Sequence, residues 1–159
     1  MKLAFYLAIK MKLFASSLLL ALGLITPNSL YSEQSFGNYE GAVYVRNYDG
    51  DTITFNLPKL HPIIGKKISI RINGIDTPEI KGGCEKEKYD ALQAQQMVAE
   101  ILKDAEQITL KNMERGKYFR IVADVIVDGE NLGNMLIEAG IAKKYIGKKK
   151  TYQWCEEKK

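Results

Sequence analysis

A chain of 159 residues, 46% hydrophobic and 26% charged, is too short for several domains and too apolar for a disordered segment. Its two cysteines are too few for a disulfide-built miniature scaffold, and no repeat or low-complexity stretch marks a fibrous protein. The net charge of +4 exceeds that of the folded part: residues 1–32 hold three lysines and no acid, which leaves 20 basic against 19 acidic groups, so attraction for a polyanion must come from local clustering.

The chain opens with Lys2, Lys10 and Lys12 ahead of an apolar run over residues 13–25, closed by Pro27 and followed by Ser32. A basic start, a short apolar stretch and a small residue read as a secretory signal over residues 1–32, cleaved near Ser32, with Met11 as a second candidate start. The run is short for a membrane span, but residues 3–9 are apolar too, so an uncleaved anchor is the other reading. In either case the chain is expected outside the cytoplasm, secreted or periplasmic, and touches a membrane only through this segment.

Strand patterns follow. Residues 41–46 and 52–57 form two, joined by Asn47-Tyr48-Asp49-Gly50-Asp51, a hairpin signal. Asp49 and Gly50 are explained by the turn. Asp51 begins the second strand, where Asp is disfavoured, and asks for another reason. Residues 58–66 read as a loop carrying His61, the only histidine, expected to be solvated. In the third strand, 67–73, Ile68, Ile70 and Ile72 take one face and Arg71 the other. Gly74 and Pro78 end it, with Asp76 and Glu79 three residues apart at the strand end. Thr77-Pro78 opening a helix as N-cap and first residue is the plain alternative.

A helix is predicted over residues 89–105, with Ala91, Ala94, Val98, Ile101, Leu102 and Ala105 on one face. A fourth strand spans 107–111. Lys117-Tyr118-Phe119-Arg120 leads into a fifth at 121–127, and a short helix over 131–139 stops at Gly140. Five strands and about two helices make an α+β fold, a small Greek-key barrel over residues 36–150, with residues 151–159 as a tail. Such barrels bind oligonucleotides or oligosaccharides.

The unusual residues are Asp51, Arg71, Asp76, Glu79 and Arg120. Carboxylates suit a hard cation, and two guanidinium forks suit a phosphate. Together they outline a site for cleaving phosphodiesters. In order and spacing, Asp49-Gly50-Asp51-Thr52, Arg71 to Glu79, Lys117-Tyr118-Phe119-Arg120 and Gly140-Ile141-Ala142 resemble the staphylococcal nuclease family, over roughly residues 39–145.

That resemblance implies an OB-fold barrel that binds Ca²⁺ and cleaves DNA and RNA. It implies metal ligation by Asp51 and Asp76 with the Thr77 carbonyl beside them, and Glu79 as general base or orienter of the attacking water. Arg71 and Arg120 would clamp the phosphate, Lys117 and Tyr118 would contact a neighbouring one, and the 5′ oxygen would leave. The sequence departs from the family's founding member in a longer loop at 58–66, a slightly shorter one at 80–88 that carries Cys84, and no C-terminal helix.

Lys143, Lys144, Lys148, Lys149 and Lys150 form a basic run around Tyr145. Alone, such a run is a solvated face. Beside a phosphate site it guides a nucleic-acid backbone, with Tyr145 placed to stack on a base. Cys84 and Cys155 admit one intramolecular bond, which export would preserve and which would contribute on the order of 4 kcal/mol by loop entropy. Two separate buried thiols are the alternative. The expected protein is thus an exported, monomeric, Ca²⁺-dependent nuclease. The competing reading is a nucleic-acid-binding barrel without activity.

Overall fold

The computed structural model describes residues 35–117, 120–147, 150 and 152–155. The signal segment and Tyr118 lie outside the described residues.

Strands form where β-branched and aromatic residues alternate. β1 (Tyr39–Glu40) and β2 (Val43–Asn47) are two parts of one bent stretch. The bend passes through Gly41 at φ 79°, a conformation that glycine adopts at least cost. β3 (Thr52–Asn56) lies antiparallel to β2, and β4 (Ile68–Ile72) antiparallel to β3. β4 then pairs in parallel with β7 (Ile121–Val127), β7 antiparallel with β6 (Ile108–Arg115), and β6 antiparallel with β1. The order β1-β6-β7-β4-β3-β2 therefore begins and ends on the same bent stretch, so the sheet curls back on itself. Ile53, Phe55, Ile70, Ile72, Leu110 and Val125 fill its interior, each at most 1% exposed. Burying side chains of this size contributes about 1.5–3 kcal/mol each.

Three helices complete the domain. α1 (Pro62–Gly65) is a single turn inside the loop at 58–66, capped by the His61 ring, whose Nδ1 accepts from Ile63 N at 3.3 Å. α2 (Glu85–Asp104) adds Val98 and Leu102 to the core, and α3 (Leu132–Glu138) adds Leu132 and Leu136. Asn131 caps α3, its Oδ1 accepting from Asn134 N at 3.0 Å. This is the α+β OB-type barrel expected from the sequence. Two short pairings add to it: β8 (Glu130–Asn131) on β7, and β5 (Ile75–Asp76) on β9 (Lys143–Lys144).

The alternative in which Thr77-Pro78 opens a helix does not occur: the chain runs on irregularly to Cys84, the N-cap of α2. One difference from the sequence reading has a physical cause: α2 begins four residues before the predicted Tyr89. Its buried stripe is Glu87, Ala91, Ala94, Val98 and Leu102, so the first position is a carboxylate where the pattern called for an apolar side chain. Glu87 tolerates burial because Gly83 N donates to its Oε2 at 2.8 Å, which also satisfies a backbone group at the helix start.

Candidate functional site

The hairpin between β2 and β3 and the end of β4 meet at one mouth of the barrel. The β3–β4 register sets Thr52 beside Arg71, and the β4–β7 register sets Arg71 beside Val122. Ile72 N donates to the Asp51 carbonyl at 2.8 Å, tying the hairpin to β4. Gly50 belongs here for a reason beyond turning: a Cβ at this position would stand 2.8 Å from Thr77 Cγ2 and 2.9 Å from Ala94 Cβ. Close approach of the hairpin to Thr77 and to α2 needs a residue without a side chain. Helix α2 grips the hairpin as well. Asn47 Nδ2 donates to the Gln95 carbonyl at 2.9 Å, and Gln95 Nε2 donates to the Tyr48 carbonyl at 2.7 Å.

The result is a cleft of about 510 Å³ lined by Arg71, Asp76, Glu79, Lys117, Arg120 and Tyr145, among others. Six residues picked from the sequence thus share one cavity. Asp51 sits just behind it, 2% exposed, with Asp76 and Thr77 each at 1%. Arg71 bridges the two carboxylates: its Nη1 pairs with Asp51 Oδ1, and its Nη2 lies 3.4 Å from Asp76 Oδ1 while donating to the Ile75 carbonyl at 3.2 Å. Thr77 N donates to Asp51 Oδ2 at 3.2 Å, and the buried Thr77 hydroxyl has no partner among the described residues.

Sequence reasoning missed several participants. Tyr48, Asp49 and Thr52 also line the cleft. Asp49 is more than a turn residue: it is buried, and its Oδ1 accepts from Asp51 N at 3.1 Å and Thr52 N at 2.7 Å. Lys150 reaches Asp76 Oδ2 at 2.9 Å, and Trp154 Nε1 donates to the same oxygen at 3.2 Å. Lys150 was visible only as one of a basic run, and nothing local marks Trp154. The structure pairs Cys84 with Cys155, with 2.13 Å between the sulfurs.

The donor set fits a hard cation. Two buried carboxylates and an unpartnered hydroxyl are oxygen ligands of the kind Ca²⁺ takes. Among the described residues the three carboxylates of Asp51, Asp76 and Glu79 do not close within 4.8 Å of one another. The only such trio of ligating atoms is Cys84, Glu87 and Cys155, two of which are bonded together. Asp51 and Asp76 are the two carboxylates that Arg71 bridges, and Glu79 has no ion pair with it.

Burial governs the acid–base character here. It pushes the Asp51 carboxyl up to about 6, with Arg71 pulling the other way and Asp49 adding to the rise. Asp49 is raised by burial, and Glu79 by burial and then by the Asp51 charge. Between about pH 3.8 and about 6, native Asp51 holds a proton that the unfolded chain has released. Its contribution to unfolding free energy therefore falls as pH rises through that window. In chelator, the wild type should gain stability relative to Asp51→Asn as pH is lowered from about 6 to about 4. Parallel melting curves of the two proteins across this range would contradict the assignment.

A search of curated proteins finds no match. A family model described as staphylococcal nuclease homologue matches residues 69–158, from β4 through the tail and over more than half of the chain. With the curled barrel and this cleft, that match establishes that the chain belongs to the staphylococcal nuclease homologue family.

Proposed function

We propose that the protein is an exported nuclease that hydrolyses phosphodiester bonds of DNA and RNA with the help of Ca²⁺. The observation that supports it most is one cleft wall holding Arg71 and Arg120 beside Asp76 and Glu79, with Asp51 immediately behind. A barrel that only bound nucleic acid would need the cations but not the buried carboxylates, which are costly to place there.

Each side chain has a task. Asp51 and Asp76, with Thr77 alongside, hold the Ca²⁺, which supplies positive charge against the phosphate. Arg120 and Arg71 bind the non-bridging oxygens and stabilise the charge that grows on them. Arg71 does this while serving Asp51, Asp76 and the Ile75 carbonyl. Arg120 has no carboxylate partner among the described residues, so its guanidinium is the freer of the two to meet a phosphate. Glu79 takes a proton from the attacking water at its carboxylate, and its raised pKa makes it a stronger base than a free glutamate. Lys117 and Tyr118 meet the next phosphate, and Tyr145 stacks on a base; Tyr118 is assigned here from its place in the motif alone.

The test is incubation of the purified chain with plasmid DNA and with RNA. Cleavage with Ca²⁺ that stops on chelation is expected; tight binding without cleavage would establish the inactive barrel instead. In parallel, millimolar Ca²⁺ should raise the melting temperature, because a ligand that binds only the native state stabilises it. Asp76→Asn should shrink that rise, and identical melting with Ca²⁺ and chelator would rule out the carboxylate site.

We assign residues 1–32 to export. Mass spectrometry of the exported protein should find the chain beginning after Ser32. A product that keeps the segment would make it an anchor.

A further inference from the structure

The end of the chain is built into the site. Trp154 Nε1–H donates to Asp76 Oδ2 at 3.2 Å, and Lys150 reaches the same oxygen at 2.9 Å. The Tyr152 and Trp154 rings meet edge to face, 5.7 Å between centroids. The Lys143 ammonium lies over both, 4.3 Å from the Trp154 centroid and 4.8 Å from that of Tyr152, and donates to the Gln153 carbonyl at 3.2 Å. Lys143 is also the residue opposite Asp76 in the β5–β9 ladder. The tail therefore docks on the strand that carries the metal ligand, through cation–π contacts and one indole hydrogen bond.

Residues 152–155 have no helix or strand of their own to hold them there. The Cys84–Cys155 bond does so. It reaches the other half of the site too. Glu87 Oε2 lies 3.5 Å from Cys155 Sγ and accepts from Gly83 N, while Glu87 Oε1 accepts from Glu79 N at 3.4 Å. One covalent bond thus braces Asp76 through Trp154 and Glu79 through Glu87.

We propose that Trp154 is a positioning residue for the metal ligand Asp76, and that the Cys84–Cys155 bond switches the enzyme on by holding Trp154 in place. The inference rests on the nuclease reading above. Breaking the bond takes two electrons and two protons from a dithiol reductant, which becomes a disulfide as Cys84 and Cys155 become thiols. The tail then loses its covalent anchor, its contacts with Lys143 and Asp76 no longer hold it in one place, and Asp76 loses the N–H that orients it. Partners behind a metal ligand are worth about 10–100-fold in metal affinity or activity. The chain would be nearly inactive in a reducing compartment and gain full activity after export.

The chain has one tryptophan, so Trp154 emission reports on the contact directly. Ca²⁺ titrations of the full-length chain, oxidised and after dithiol reduction, should give a dissociation constant at least about tenfold higher when reduced. Trp154→Phe keeps an aromatic ring and the disulfide but removes the donor. By calorimetry it should bind Ca²⁺ about tenfold more weakly at a temperature where it is fully folded, and its kcat should fall while KM for DNA holds. Cys84→Ala with Cys155→Ala should behave like the reduced protein and be insensitive to dithiol. Equal Ca²⁺ affinity and turnover in oxidised wild type and Trp154→Phe would overturn the proposal while leaving the nuclease reading standing. An oxidised wild type that neither binds Ca²⁺ nor cleaves would overturn both.

Discussion

Arg120→Ala should lose at least about a hundredfold in kcat on DNA while melting within a degree or two of wild type. The loss follows from removing a preorganised charge at the phosphate, an effect of about 3 kcal/mol or more on the barrier. The unchanged stability follows from what surrounds the residue. Its own backbone is held by its neighbours: Gly116 N donates to the Arg120 carbonyl at 2.8 Å, and Arg120 N to the Lys117 carbonyl at 3.3 Å. No carboxylate among the described residues depends on the side chain. Glu79→Gln should show the same split, since among the described residues its carboxylate has no hydrogen-bond donor while its backbone N–H is held by Glu87. If Arg120 acts on the transition state alone, kcat and kcat/KM fall together. Turnover near wild type in a folded Arg120→Ala would refute the site as drawn.

Arg71→Ala should behave differently and lose both activity and fold stability. Arg71 is the cation that Asp51 and Asp76 share, and both carboxylates are almost fully buried. Removing one partner of a buried ion pair leaves an uncompensated charge and costs about 3–5 kcal/mol. Part of that cost returns as a proton, because Asp51 already sits near 6 with Arg71 present and would rise further without it. The destabilisation should accordingly be largest above about pH 6 in chelator, and smaller at lower pH or in Ca²⁺, which replaces the lost charge. Chemical denaturation at pH 5 and pH 8, with and without Ca²⁺, reads all three comparisons. A variant as stable as wild type at pH 8 in chelator would show that Lys150 and Trp154 suffice for Asp76 and that Asp51 needs no counter-charge. On sequence alone, Arg71 and Arg120 look equivalent. The geometry separates them.

Much of the barrel could be read from the chain because its signals are local. The alternation of Ile68, Ile70 and Ile72, and the stripe of Ala91, Ala94, Val98 and Leu102, each report a buried face within a few residues. The first turn of α2 stayed hidden because Glu87 occupies the stripe as a charge, and its burial depends on a backbone N–H that no periodicity reveals. The site residues stood out because Asp51, Asp76 and Arg71 violate local preference where a strand begins or ends. Their companions Asn47, Gln95, Lys150 and Trp154 violate nothing. Their roles arise from contacts across dozens of residues, such as the 78 between Trp154 and Asp76. The tail illustrates this best. Counting cysteines is enough to suggest the bond, but not that the tail ends on the buried Asp76 carboxylate.

The pairing of β1 with β6 and of β4 with β7 also decides when the cleft can assemble during synthesis. Tyr39 finds Leu110, and Ile70 finds Ile121, only after more than half of the chain exists. Such distant pairings carry a loop-closure cost before any reward and make barrels of this kind slow to fold, in milliseconds to seconds. A growing chain that has already displayed Asp51, Arg71, Asp76 and Glu79 still lacks the strand that brings Arg120 to them. At about 5–20 residues per second, several seconds separate the synthesis of Asp51 from that of Arg120. The residues of the cleft are thus divided along the chain. Under the proposed function, a chain truncated before residue 120 would leave no partial nuclease behind, and one kept unfolded for the proposed export would harm no nucleic acid on the way.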